Sequence, residues 1–319
     1  MALPKLGLRG RSLQSLRDFT AAEIGGLLDL SSALKAASKA GRAERTLIGR
    51  SLAMIFQKRS TRTRVSTETA MTNLGGHALF LSNDDIQLGQ SESLKDTSRV
   101  LSRFNDCILA RVGPHSDIVE LDAESSVPVI NALSDMYHPL QGLADMLTMR
   151  EHFGSLEGRT LAWVGDGNNV LHSLMIGCAK MGMHLRVATP QGFEADAEIT
   201  ALTESLAAES GASLLLTEDP AEAMHASNVI VTDTWISMGQ EAEKAERLRQ
   251  FEGYEITKKA IADAGASEDW IFLHCLPRYP YEVDDEVFYD EKRSLVWDEA
   301  ENRMWTVGAV LHAFLADEE

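Results

Sequence analysis

The sequence predicts an α/β protein of two domains, each a parallel β-sheet flanked by helices, with the C-terminal helix returning to the first domain. Short strand-like apolar runs alternate with helix-like segments along the whole chain, the pattern of parallel α/β sheets. A length of 319 residues fits two domains of ordinary size. Hydrophobic residues make up 44% of the chain, enough for two sizeable cores.

The elements follow in order. The Ala-rich stretch 33–43 reads as the tail of a helix. The apolar run 52–56 reads as a buried strand, and 61–74 as a helix closed by Gly75-Gly76. Further strands are expected at 77–81, 107–110 and 127–130. A long helix is expected over about 140–152, with Pro139 well suited to its first turn. The domain boundary falls near Gly154 or Gly158. Residues 1–150, with the last helix at about 303–319, form one domain, and 151–302 form the other. Strands in the second half are expected at 161–164, 185–188, 214–216, 229–232 and 270–273, and a final helix at about 304–315.

Polar clusters fall at the carboxyl ends of these strands, where open α/β sheets bind ligands. Gln57-Lys58-Arg59-Ser60-Thr61-Arg62-Thr63-Arg64 crowds hydroxyls and guanidiniums onto a strand-to-helix turn. A helix start offers free N–H groups and a positive dipole end, and arginine adds forked hydrogen bonds, so this turn is a seat for a phosphate. Arg111 follows the third strand. His138 and Gln141, in His138-Pro139-Leu140-Gln141, place an imidazole and an amide at a helix start, as functional groups or as a satisfied cap. Gly165-Asp166-Gly167-Asn168-Asn169-Val170 shows the G-x-G of a dinucleotide loop, but Val170 stands where the third glycine belongs. Side-chain amides there suit a zwitterionic amino acid better than a nicotinamide cofactor. Asp233 stands at a strand end before Ser237-Met238-Gly239, either paired with a cationic amine or capping a helix. His274-Cys275-Leu276-Pro277 places a thiol beside an imidazole at a sheet edge, which favours a site cysteine over inert packing.

Charge and cysteine usage narrow the classes. Thirty Lys and Arg against 48 Asp and Glu give a formal charge of −18. Such a chain repels nucleic acid and anionic membranes, so an anion site requires a local basic cluster against the global field. No run reaches the roughly 18 apolar residues of a membrane span. The three cysteines, Cys107, Cys178 and Cys275, are too few and too scattered for a disulfide framework or a zinc pattern, and they fit a reducing compartment. The start Met1-Ala2-Leu3-Pro4-Lys5-Leu6 lacks a secretory apolar region, so a cytoplasmic location is expected, with the mitochondrial matrix as the alternative if a leader has been removed.

Taken together, the Ser-Thr-Arg-Thr-Arg and His-Pro-x-Gln motifs, Asp233 with Ser237-Met238-Gly239, and His274-Cys275-Leu276-Pro277 resemble the aspartate/ornithine carbamoyltransferase superfamily, in its ornithine-using branch. The resemblance runs from about Leu13 to Leu315. It implies transfer of the carbamoyl group of carbamoyl phosphate to L-ornithine, giving L-citrulline and phosphate, with no metal or organic cofactor. By this resemblance Ser60, Thr61, Arg62 and Thr63 bind the phosphate, while Arg111, His138 and Gln141 hold the carbamoyl end and the bridging oxygen. Arg303 helps from the C-terminal segment, and Gln87 matches a position that reaches the phosphate in a neighbouring subunit. Asn169, Asp233, Ser237 and Met238 match ornithine contacts, and Cys275 and Leu276 stand where both substrates meet. Arg111, His138 and Cys275 are the implied catalytic residues. The resemblance also implies a homotrimer, or a multiple of one, with shared active sites. Another acceptor amine such as putrescine or an acylated ornithine, or a non-catalytic phosphometabolite-binding relative, are the competing readings.

Overall fold

The structure is a computed structural model that describes residues 3–82, 86, 92–236 and 241–317. It divides into two compact units, Met1–Leu147 with Glu301–Glu319, and Thr148–Ala300.

In the first unit, helix α1 (Ala21–Lys39) opens with a capping box in which Thr20 and Glu23 satisfy each other's backbone N–H groups. There follow β1 (Ser51–Phe56), α2 (Thr61–Asn73), β2 (His77–Ser82), α3 (Leu94–Phe104), β3 (Cys107–Arg111), α4 (His115–Glu124), β4 (Val129–Leu133) and α5 (Pro139–Phe153). The strands form one parallel sheet in the order β2-β1-β3-β4. β1 and β3 are central and buried almost throughout, which is why they read as unbroken apolar runs. One core cluster joins Ala53, Ile55, Ile108, Ala110 and Val129 of the sheet to Ile118 and Leu121 of α4. β4 begins two residues later than its apolar run, because Pro128 has no N–H to give the ladder. α5 carries the chain into the second unit.

The second unit contains β5 (Thr160–Val164), α6 (Asn169–Lys180), β6 (His184–Ala188), α7 (Ala197–Ser210), β7 (Leu214–Thr217), α8 (Pro220–Met224), β8 (Val229–Val231), α9 (Lys244–Gln250), α10 (Lys258–Ala264), β9 (Ile271–Leu273), α11 (Asp285–Phe288) and the start of α12 (Val296–Leu315). Its strands are all parallel, in the order β7-β6-β5-β8-β9. Its core joins Ala162 and Val164 of β5 to Trp235, Phe251, Phe272 and Phe288. α12 starts eight residues earlier than the apolar pattern suggested. Asp298 and Glu299 fall in its first turn, where carboxylates favour the helix dipole. The remainder of α12, from Glu301, belongs to the first unit.

The strand orders fix where ligands can sit. In the first sheet the chain leaves β1 in one direction for β2 and in the other for β3, so the loops after β1 and β3 border a switch point. In the second, β5 and β8 flank the corresponding point.

Candidate active site

At the first switch point the sequence supplies a short loop and a helix start. Ser60 caps α2, its hydroxyl accepting from the Thr63 N–H at 3.2 Å. This leaves Thr61 and Arg62 on the first turn, beside the free N–H groups and the positive end of the helix dipole. Gln57 ties the two loops together: its N–H donates to the Arg111 carbonyl at 2.9 Å and its side-chain oxygen accepts from Gly113 N–H at 2.9 Å. Arg111 is the last residue of β3 itself and is buried.

α12 brings a further guanidinium. Arg303 donates from Nη1 to Gln141 Oε1 at 2.6 Å and from Nη2 to Thr63 Oγ1 at 3.2 Å. Gln141 in turn donates from Nε2 to Asp145 Oδ1 at 2.7 Å, so the amide is oriented from both ends. His138, Gln141, Asp145 and Arg303 are all buried. Burial first, and then the positive charges of Arg303, Arg111 and Arg62, hold the His138 pKa well below the usual imidazole value. His138 is therefore neutral at pH 7. Three guanidiniums close enough to act on one buried imidazole, together with a helix start, form a receptor for a compact anion.

At the second switch point the loop after β5 meets the segment after β8. Asn168 caps α6, its Oδ1 accepting from Val170 and Leu171 N–H. Its Nδ2 donates to Asp233 Oδ2 at 2.8 Å, while the Cys275 thiol donates to Asp233 Oδ1 at 3.1 Å. Asp233 is buried and receives both donors, an arrangement distinct from a helix-capping aspartate. Asn169 opens α6 next to this pair.

Cys275 and Leu276 are held from behind. The Leu276 N–H donates to His274 Nδ1 at 2.9 Å, so Nδ1 is the acceptor and Nε2 carries the proton. That Nε2 faces Glu282 Oε2 at 3.1 Å, with both side chains fully buried. Glu282 also accepts from Tyr279 N–H at 2.8 Å and Trp235 N–H at 3.3 Å. Glu299 accepts from the His274 N–H at 2.8 Å. Leu276 has φ +62°, a left-handed conformation that costs a side-chain-bearing residue about 1 kcal/mol or more and persists only where its surroundings fix it. The peptide bond that follows, Leu276–Pro277, is cis.

Among the expected site residues, Ser60, Thr63, Arg62, Arg111, His138, Gln141 and Arg303 gather in the first unit through these bonds and charges, with Thr61 adjoining them on α2. Asn169, Asp233, Cys275 and Leu276 lie at the carboxyl ends of β5, β8 and β9 in the second. Gln87, Ser237 and Met238 lie outside the described residues. Asp145, Glu282 and Glu299 were not foreseen. Only Asp145 had a local signal, four residues after Gln141 and so on the same helical face.

Family models match the chain almost end to end. The carbamoyl-P binding domain of aspartate/ornithine carbamoyltransferase matches residues 11–151, and the Asp/Orn binding domain matches residues 157–314. The chain is 57% identical over 311 residues to a mitochondrial ornithine transcarbamylase of Gallus gallus, covering 97% of this chain and 87% of that protein. It is 55% identical to a mitochondrial ornithine carbamoyltransferase of Aquarana catesbeiana, covering 97% and 88%. Among solved structures it resembles an ornithine carbamoyltransferase of Pyrococcus furiosus, with a TM-score of 0.93 at 48% identity over 97% of this chain and 98% of that one. A mitochondrial ornithine carbamoyltransferase of Coccidioides immitis gives 0.89 at 47% identity, covering 96% and 98%.

Proposed function

The chain belongs to the aspartate/ornithine carbamoyltransferase family, and from that premise we propose how its residues carry out the reaction. It is an enzyme that transfers the carbamoyl group of carbamoyl phosphate to the side-chain amine of L-ornithine, giving L-citrulline and phosphate, a step of arginine biosynthesis and the urea cycle.

The role assignments are carried by one observation, the guanidinium cluster around a buried, neutral imidazole. Ser60, Thr61, Arg62 and Thr63 hold the phosphate at the start of α2, and Gln87 adds a contact to the phosphate held by a neighbouring subunit. Arg111, His138, Gln141 and Arg303 hold the carbamoyl group and the bridging oxygen. His138, being neutral, works as a hydrogen-bond donor to the carbonyl and not as an acid. Asn169, Asp233, Ser237 and Met238 bind ornithine. Cys275 and Leu276 touch both substrates, and Asp233 and Cys275 orient the acceptor amine.

Free ornithine carries a side-chain ammonium with a pKa near 10.4, by analogy with lysine, and must lose a proton before it attacks. The neutral nitrogen then adds to the carbamoyl carbon, forming the C–N bond while the carbonyl electrons move onto oxygen. Arg111 and His138 stabilise that oxyanion, a role for which losing one donor costs about 100- to 1,000-fold in rate. The electrons return to carbon, the bond to the bridging oxygen breaks, and phosphate leaves into the guanidinium cluster. The nitrogen's remaining extra proton passes to the departing phosphate, which leaves as hydrogen phosphate. Holding both reactants in line supplies much of the remaining acceleration.

The proposed assembly is a homotrimer, or a multiple of one, with active sites shared between subunits. Large apolar side chains on the surface of the first unit support an assembly: Ile48 and Phe104 are each 73% exposed, and Val65 and Leu79 are also exposed. For compartment, relatives named as mitochondrial support the matrix alternative over the cytoplasm. No helix among the described residues is long and apolar enough to cross a membrane.

A colorimetric citrulline assay on the purified chain tests the reading. Carbamoyl phosphate with L-ornithine gives citrulline, and putrescine or an acylated ornithine gives far slower transfer. Faster transfer to either competitor overturns the acceptor, and no transfer to any of the three overturns the activity.

A further inference from the structure

One buried ion pair in the second unit has no part in the reaction as derived. Asp166 lies in the loop after β5, two residues before Asn168. Arg247 lies on α9. Their side chains are 11% and 10% exposed, and Arg247 Nη1 stands 3.2 Å from Asp166 Oδ2. The same Nη1 donates to the carbonyl of Trp235 at 2.9 Å, two residues beyond Asp233. One guanidinium therefore grips both sides of the second switch point: the loop that aims Asn168, and the segment that carries Asp233.

Arg247 is itself held in place. Its Nε donates to the exposed Glu243 at 3.2 Å, and its guanidinium lies 4.9 Å from the centroid of the Phe193 ring. Phe193 and Trp235 both pack on Phe251, at 5.0 and 5.1 Å between ring centroids. The Asp166 carbonyl accepts from Trp163 Nε1 at 3.1 Å. The charged groups acting on the Asp166 carboxyl are thus Arg247 from α9 and Asp233 from beyond β8. Glu243 acts on Arg247 from the other side.

We propose that Arg247 and Asp166 are positioning residues for ornithine, clasping the two loops so that Asn168, Asp233 and Cys275 stay in register for the acceptor amine. The proposal rests on the ornithine-transfer reading above and deepens it. Neither residue has to touch substrate. Without the guanidinium, the Asp166 carboxyl loses the charge that offsets Asp233, and the Trp235 carbonyl loses its donor. The loop and the segment are then free to part, Asp233 moves out of register, and its hold on a cationic substrate weakens. Burial already pushes Asp166 up to about 6, with Arg247 opposing and Asp233 assisting that rise. Protonation of Asp166 below that pH loosens the same clasp in the native protein.

The test is steady-state kinetics on the full chain, with both substrates varied, for wild type, Arg247→Gln, Asp166→Asn and Arg247→Lys. The expected result is an ornithine KM raised about ten-fold or more in Arg247→Gln, the scale of a lost charged hydrogen bond. The carbamoyl phosphate KM stays within about two-fold of wild type, because the residues that hold its phosphate and carbamoyl oxygen lie in the first unit, apart from Cys275 and Leu276. Arg247→Lys recovers part of the loss by restoring the charge without the fork. In wild type the ornithine KM climbs as pH falls from 7 to 5.5. In Asp166→Asn, which is neutral throughout, that climb flattens. If Arg247→Gln fails to fold, Asp166→Asn carries the same test, since it changes charge without changing shape. An unchanged ornithine KM with an unchanged pH profile in the folded variants overturns the proposal. So does an equal rise in both KM values. Citrulline formation by wild type separates this outcome from failure of the parent reading: no citrulline from wild type removes both, whereas active wild type with indifferent variants removes the clasp alone.

Discussion

A neutral imidazole among three guanidiniums has consequences that one substitution can expose. The folded chain keeps His138 unprotonated, whereas the unfolded chain protonates it below about 6.5. Its contribution to stability is therefore present above that pH and lost as pH falls. His138→Gln removes this linkage, so wild type is expected to lose more melting temperature than the variant between pH 7 and pH 5. His115 and His312 are shifted in the same direction by burial and are common to both proteins, so they cancel in the comparison. A scanning-fluorimetry series in matched buffers measures it. Parallel curves would show that His138 has no such linkage. Arg62 gives the functional counterpart. Arg62→Ala should lower kcat/KM for carbamoyl phosphate by about 100-fold or more while the circular dichroism spectrum is unchanged, because a partly exposed side chain at a helix start leaves the packing intact. Near-normal turnover at low carbamoyl phosphate would remove Arg62 from the phosphate site.

At the scale of elements, the loop after β5 is fixed by contact with its neighbour as well as by its own bonds. A Cβ added at Gly167 would meet the backbone of Glu194 and Ala195 at 2.3 to 2.5 Å, and the Gly167 N–H donates to the Phe193 carbonyl at 2.8 Å. Gly167→Ala therefore has to push two loops apart, an overpacking that costs about 1 to 3 kcal/mol. The expected result is a lower melting temperature together with a raised ornithine KM, read by thermal melts and initial rates. Retention of both values would show that the loops part without cost. This loop also marks how far the sequence could be read. The second glycine of Gly165-Asp166-Gly167 looked like half of a dinucleotide fingerprint. What it serves is close approach to the loop after β6, a residue pairing 27 positions away that no local pattern announces. The central strands and the polar clusters at their ends were legible because burial on both faces leaves unbroken apolar runs, and a run's end is visible in sequence. Helix starts were legible where a cap declares them, as at Ser60. Glu282 and Arg247 were not, because an acid or a base inside a charged stretch looks solvated until the fold buries it against a remote partner. The start of α12 was missed for a related reason: after Val296 and Trp297 its first two turns carry Asp298, Glu299, Glu301 and Asn302, and the regular apolar pattern begins only later.

At the scale of the molecule, the net charge of −18 repels the anionic donor, so substrate capture depends on the local arginines overcoming the global field. Binding should also act on stability by mass action. Carbamoyl phosphate at about 100 times its Kd adds about 2.7 kcal/mol, which appears as a higher melting temperature in wild type and is absent in Arg62→Ala. The proposed assembly has its own test. Strand β2 is an edge strand, and Leu79 on it and Val65 on α2 are exposed apolar groups that a lone subunit would leave in water. Sedimentation velocity is expected to show a trimer or a multiple of one for wild type and smaller species for the double substitution Val65→Glu and Leu79→Glu. A wild-type monomer would overturn the assembly, and a mutant that sediments unchanged as a trimer would place the subunit contacts elsewhere.

Trp235 offers a practical return from its position. Its indole is stacked on Phe251, its amide is bonded to Glu282 and its carbonyl to Arg247, two residues from Asp233. An indole so rigidly seated converts small movements of Asp233 into a change of emission. Replacing Trp270, Trp297 and Trp305 with phenylalanine, and keeping Trp163 because it bonds the Asp166 carbonyl, would leave a built-in optical gauge able to follow arrival of the diamino acid in a stopped-flow cell with no label attached.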